Sequence, residues 1–153
     1  MTDTPFTIAP AEDQDVPEIA AVLDQSQLLT YDLLAPRTQY WVIRDEEQRI
    51  VATAGLEFGD RAALLRSVAV LPCARSQGLA HVLANHAFNE AQSSGCEAVY
   101  LFSVHAGAYW QRYGFEEVPV DEMVDALPDV PQVNRFRQIH KLETEIAWKK
   151  RLE

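Results

Sequence analysis

Apolar positions along this chain recur in two periods, and the switches between them divide it into elements. Phe6 and Ile8 alternate around Thr7, the two-residue period of a strand. Ile19, Val22 and Leu23 then fall at helical spacing, and Asp15-Val16-Pro17-Glu18 ahead of them reads as a helix start. Asp15 is the expected cap, Pro17 is tolerated where a free N–H would be unpaired anyway, and Glu18 follows three residues after the cap. Residues 25–37 carry Leu28, Leu29, Tyr31, Leu33 and Leu34, and read as a second short helix or as a loop over a site, limited by Pro36. Residues 40–44 and 50–57 are apolar, β-branched runs around the charged turn Asp45-Glu46-Glu47-Gln48, a hairpin pattern. A third run, 62–70, follows a turn at Gly59-Asp60 and ends before Pro72. Residues 78–92 are helical, with Leu79, Val82, Leu83, Ala87 and Ala91 on one side and Gly95 at the stop.

Residues 98–103 form a short apolar run suited to a buried strand. Residues 106–113 make two helical turns closed by Gly114, and a strand over 115–120 follows. Pro128, Pro131 and scattered charges mark 121–137 as irregular. Over 144–152 the pattern through Ile146 and Trp148 favours a last strand over a charged helix. With no repeat and no low-complexity linker, a single domain over residues 1–153 is expected.

Charge narrows the function. The formal net charge of −10 argues against nucleic acid or anionic lipid as a partner, since both need a broad Lys and Arg surface. An anionic cofactor would need a local cluster of backbone N–H groups with one or two Arg. Cys73 and Cys96 stand in no metal or redox spacing, and His81, His86, His105 and His140 match no zinc pattern. With no charged-then-apolar leader and no long apolar run, a cytoplasmic, metal-free protein is expected, as a monomer or homodimer.

One stretch fits such a cluster. A Val-rich strand through Val68, Ala69 and Val70 enters the loop Arg75-Ser76-Gln77-Gly78 and then the first helical turn at Leu79 and Ala80. A helix start carries N–H groups without internal partners and the positive end of the helix dipole. Gly78 and Ala80 remove bulk there, and Arg75 adds a fixed charge. An anion cradle and a plain strand–helix connection fit these residues equally well.

Val70-x-Pro72-x-x-Arg75-x-x-Gly78-x-Ala80, followed by a helix, a strand and Tyr109-Trp110-Gln111-Arg112-Tyr113-Gly114-Phe115, resembles the GNAT superfamily of N-acetyltransferases. The likeness is strongest over residues 40–118. Within it, Ala54-Gly55-Leu56-Glu57 with Leu64-Leu65-Arg66-Ser67-Val68-Ala69-Val70 is most similar to arsenic-resistance N-acetyltransferases and short N-acetylglutamate-synthase-like enzymes. The resemblance implies an α/β (α+β) fold, a mixed central sheet splayed between the fourth and fifth strands with flanking helices. It implies acetyl-CoA as co-substrate, its pantetheine paired near Val68 and Val70 and its pyrophosphate on Arg75, Ser76, Gln77, Gly78, Leu79 and Ala80. It implies direct attack on the thioester by a small-molecule amine, with an amino acid or a compound like one as the candidate.

The sequence departs from that family where many members carry a tyrosine as general acid, because Trp110 stands there. Tyr109 or Tyr113 is then the substitute acid, or CoA leaves without a dedicated acid and Tyr109 is a core aromatic. Glu57, at a strand end, is the candidate base, with an exposed carboxylate as the plain alternative. Arg66 shares a face with Leu64, Val68 and Val70 if its strand alternates, so it requires an anion. That anion is a substrate carboxylate or an internal acid such as Glu57. His105 is a candidate on the substrate side, as a proton relay or as part of a helix start. A non-catalytic CoA sensor and a peptide-modifying acetyltransferase remain the rival functions.

Overall fold

The computed structural model describes residues 6–152, so the two ends of the expected 1–153 domain lie outside the described residues. Seven strands form one sheet in the order β1-β2-β3-β4-β5-β7-β6. They are β1 (Thr7–Pro10), β2 (Thr38–Arg44), β3 (Ile50–Phe58), β4 (Ala62–Val70), β5 (Ala98–Phe102), β6 (Glu116–Val118) and β7 (Ala147–Arg151). The helices are α1 (Val16–Gln25), α2 (Leu79–Ser93), α3 (Gly107–Gln111), α4 (Val120–Ala126) and α5 (Pro131–Gln138). The sheet is mixed, as expected. β4 and β5 are parallel, whereas β1 with β2, β5 with β7 and β6 with β7 are antiparallel. The ladder between β4 and β5 runs only from Ala62↔Ala98 to Leu64↔Tyr100, although both strands continue beyond it.

Two compact units make up the described chain: residues up to Gly55 with Ser67–Ala87, and Leu56–Arg66 with the residues from Phe88 on. In the first, α1 lays Ile19, Val22 and Leu23 against Tyr40, Val42, Ile50 and Ala69. The stripe read from sequence is its buried face. The expected capping roles are corrected. Asp15 makes no side-chain cap for α1. Its carboxylate accepts the Glu12 N–H at 2.9 Å in a preceding 3₁₀ turn and pairs with Arg44 at 2.7 Å. Glu18 reaches across to accept the Ile50 N–H at 2.8 Å. Residues 26–37 hold turns rather than a second helix, and Gln27, Asp32, Leu34 and Arg37 adopt positive φ. On α2, Leu79, Leu83, Ala84 and Ala87 are buried but Val82 is 44% exposed, so it lies off the face assigned to it.

The second unit builds its core from Leu64, Tyr100, Met123, Leu127, Val130, Val133 and Ala147. Residues 121–137, expected to be irregular, contain α4 and α5. The prolines that suggested irregularity sit where helices accept them, Pro128 between the two and Pro131 in the first turn of α5. Met123 with Leu127, and Val133 with Phe136, then face inward at helical spacing. The last strand forms as expected, with Trp148 buried.

Candidate active site

Within the first unit, β4 is bent before it reaches the loop. Ser67 sits in the middle of the strand at φ 60°, a left-handed conformation that side chains other than glycine rarely adopt. Neighbours hold it there. Its Oγ shares a 2.7 Å hydrogen bond with the Tyr40 hydroxyl, and its carbonyl accepts from Thr53 Oγ1 at 2.7 Å. Gly55 makes room for the Tyr40 ring, since a Cβ there would come within 2.6 Å of it. The left-handed Ser67 interrupts the strict alternation on which the shared face of Arg66, Val68 and Val70 is conditioned. Ala69 is buried, and Val68 and Val70 are half-buried.

Past Val70 the chain makes a 3₁₀ turn at Pro72–Ala74 and two left-handed residues, Ser76 and Gly78, before α2 begins. Gly78 has φ 75° and open space around a would-be Cβ. Its glycine serves the backbone conformation rather than clearance from a neighbour. The Val82 N–H donates to Gly78 O at 3.0 Å at the start of the α2 ladder, and the first turn of a helix carries N–H groups that the ladder itself does not engage. Arg75, Ser76, Gln77 and Gly78 are exposed, Ala80 is half-buried and Leu79 is buried. Arg75 Nε donates to Val70 O at 3.1 Å, which ties the loop to the end of its own strand.

The second unit brings Glu57 and Arg66 together. Arg66 Nη1 lies 2.9 Å from Glu57 Oε2, with side-chain exposures of 3% and 0%. The other carboxylate oxygen, Oε1, accepts the Gln132 N–H at 2.8 Å. Gln132 is in the first turn of α5, whose N-cap Val130 has no side-chain acceptor to offer. Glu57 therefore caps α5 from a strand 75 residues away. The internal acid that the sequence offered as one partner for Arg66 is the one it meets.

Tyr109 and Tyr113 share a 2.9 Å hydrogen bond between hydroxyls. Burial pushes the Tyr113 phenol above its ordinary range, and the bond to Tyr109 adds to this. Lys150 Nζ donates to the Tyr113 carbonyl at 2.6 Å and lies 5.2 Å from the Phe88 ring centre, fixing the turn that carries Tyr113. Trp110 is buried against the rings of Tyr109, Tyr113 and Phe115, at 4.9, 5.5 and 5.6 Å. His105 is exposed, next to a turn in which Ser103 Oγ accepts the Ala106 N–H at 2.9 Å. Sequence reasoning missed Tyr40, Thr53, Ser67, Gln132 and Lys150. Only the lone Tyr40–Gly55 pairing of bulk with its absence carried any signal. Among the described residues there is no cluster of three or more metal-ligating side chains, and no helix is long and apolar enough to cross a membrane.

Residues 5–115 match the Acetyltransferase (GNAT) family. No curated protein matches the chain. Among solved structures, it is similar to N-acetylglutamate synthase from Neisseria gonorrhoeae, complexed with coenzyme A and N-acetyl-glutamate. The identity is 18% and the TM-score 0.76, over 99% of this chain and 36% of that one. The chain thus spans about a third of the synthase's length. It is also similar to a GNAT-family acetyltransferase from Staphylococcus aureus, at 13% identity and TM-score 0.74, over 97% and 99% of the two chains. A third likeness is to the ribosomal-protein-S18-alanine N-acetyltransferase from Escherichia coli, at 20% identity and TM-score 0.63, over 74% and 79%. At such identities these likenesses establish the fold.

Proposed function

Because this chain belongs to the GNAT acetyltransferase family, we propose that it transfers an acetyl group from acetyl-CoA to the amine of a small molecule, an amino acid or a compound like one. The observation that carries this reading is the start of α2. The first turn of α2 follows two left-handed residues, on a loop whose exposed Arg75 donates its Nε to Val70 O and keeps its terminal nitrogens for an anion. In this reading the pyrophosphate of CoA rests on Arg75–Ala80, and the pantetheine arm pairs with the backbone of Val68, Ala69 and Val70. The amine nitrogen attacks the thioester carbonyl, the carbon–sulfur bond breaks, and the departing thiolate takes a proton.

Tyr109 is the proton donor in this scheme. Tyr113 holds its own proton and can donate to the oxygen that Tyr109 leaves behind. Glu57, the expected base, is fully buried, with both oxygens engaged by Arg66 and Gln132. We therefore assign Glu57 and Arg66 to holding α5 in place rather than to touching the amine. The exposed His105 is then the side chain assigned to accept the amine proton. A thiol-release assay with acetyl-CoA and a panel of free amino acids tests the reading. Turnover that falls at least tenfold in Tyr109→Phe supports it, and absence of turnover on every amine removes it.

A CoA sensor is the second reading, favoured by one observation: Trp110 is packed into an aromatic cluster where a proton donor would be expected. A sensor would gain thermal stability from acetyl-CoA without consuming the thioester.

A further inference from the structure

The second unit contains a cavity of about 490 Å³ that no proposed step uses. It opens at the amino ends of β4 and β5, whereas Arg66 lies further along β4 and His105 follows the carboxyl end of β5. Its floor follows from register. Ala62 of β4 pairs with Ala98 of β5, which pairs in turn with Arg151 of β7. Two residues on, Leu64 and Tyr100 join the same buried cluster as Met123 of α4 and Leu127, which follows it. In the Ala62 row two methyl groups stand where bulky side chains would reach the helix. Ala126, at the end of α4, adds a third. The Tyr100 ring closes one wall, with Lys149 Nζ 5.6 Å from its centre.

The rim is charged, but most of its charge is already matched. Arg61 pairs with Glu97 at 3.2 Å, and Lys149 with Glu122 at 3.1 Å. Arg151 has no ion-pair partner within 4.0 Å among the described residues. Three cations (Arg61, Lys149, Arg151) stand against three carboxylates (Asp60, Glu97 and the Glu122 that pairs with Lys149), so the rim is neutral on a chain of −10, and among the described residues Arg151 is its cation outside an ion pair. A cationic ligand would meet Lys149 and Arg151. A phosphate dianion would meet Asp60 and Glu97, and a methyl floor offers it no donors.

We propose that this cavity binds a small monocarboxylate with a compact apolar body, separately from the acyl-transfer site. The alanine floor and the Tyr100 ring take the body, and the Arg151 guanidinium takes the carboxylate. The assignment does not depend on the acetyltransferase reading.

Calorimetric titration of the full chain with 3-phenylpropionate tests it, with 3-phenylpropionamide and 3-phenylpropylamine as uncharged and cationic counterparts. The acid should bind saturably in the millimolar range, at least about tenfold more tightly than either counterpart. Arg151→Gln, at an exposed position, should weaken the acid by about tenfold and leave the amide unchanged. Ala126→Leu should weaken acid and amide alike by filling the floor. No binding of the acid by the unaltered chain, an amide as tight as the acid, or full affinity in either variant would overturn the proposal.

Discussion

Replacing Arg66 with Met removes one half of a buried ion pair and leaves its volume nearly filled. The Glu57 carboxylate, with 0% exposure, would lose the 2.9 Å contact with the guanidinium and retain the Gln132 N–H. A charge stripped of its partner in such surroundings costs about 3–5 kcal/mol. For a chain of 153 residues, at roughly 2–4 °C per kcal/mol, the melting temperature should fall by about 6–20 °C. Glu57→Leu should cost a similar amount, because it takes the carboxylate away from the buried Arg66 guanidinium and removes the acceptor at the start of α5. The double variant is the decisive arm. With both charges gone the desolvation penalty disappears, and what remains is the lost helix cap, about 1 kcal/mol. The double variant should therefore be more stable than either single one, a coupling of several kcal/mol. Urea unfolding followed by circular dichroism measures all four corners of the cycle. A loss below about 1 kcal/mol in Arg66→Met, or additive single effects, would refute the argument that the pair is buried and mutually dependent.

Three further outcomes are expected. Arg75→Ala should weaken acetyl-CoA binding about tenfold by calorimetry, with little loss of stability because the side chain is exposed. Unchanged affinity would place the phosphates elsewhere. Gly78→Ala should cost about 1–2 kcal/mol in urea unfolding through the φ of 75° alone, since nothing crowds the new methyl group. In an alkaline titration of tyrosinate absorbance, the phenols of Tyr100 and Tyr113 should ionise later than an ordinary one, and Tyr113→Phe should reduce the amplitude of that late phase. The folded pKa of Tyr113 is raised, so the stability it contributes is complete below the ordinary phenol value of 10.0 and is lost as pH climbs above it.

Much of the fold was legible from periodicity alone. The stripe of α1, the β2–β3 hairpin, the β4 run, α2 and the final strand were all visible, because the side-chain period follows from backbone geometry and reports which face an element buries. The prolines misled at residues 121–137, since a proline stops a helix or starts one according to its position in the turn. At the candidate site, the loop before α2 was recognisable from Arg75, Gly78 and Ala80. The left-handed turn at Ser67 was not, because a serine in that conformation is held by Tyr40 and Thr53, which are distant in sequence.

The chain by itself determined most of the segments that become helices and strands, the faces they bury and the place of the loop that enters α2. These depend on neighbours within a few residues. Only the tertiary structure decided the partners: Asp15 for Arg44, Glu18 for the Ile50 N–H, and Glu57 for both Arg66 and the start of α5. Hydrogen bonds and ion pairs form over about 3 Å in space, and a separation of 9, 32 or 75 residues along the chain leaves no periodic trace of that proximity.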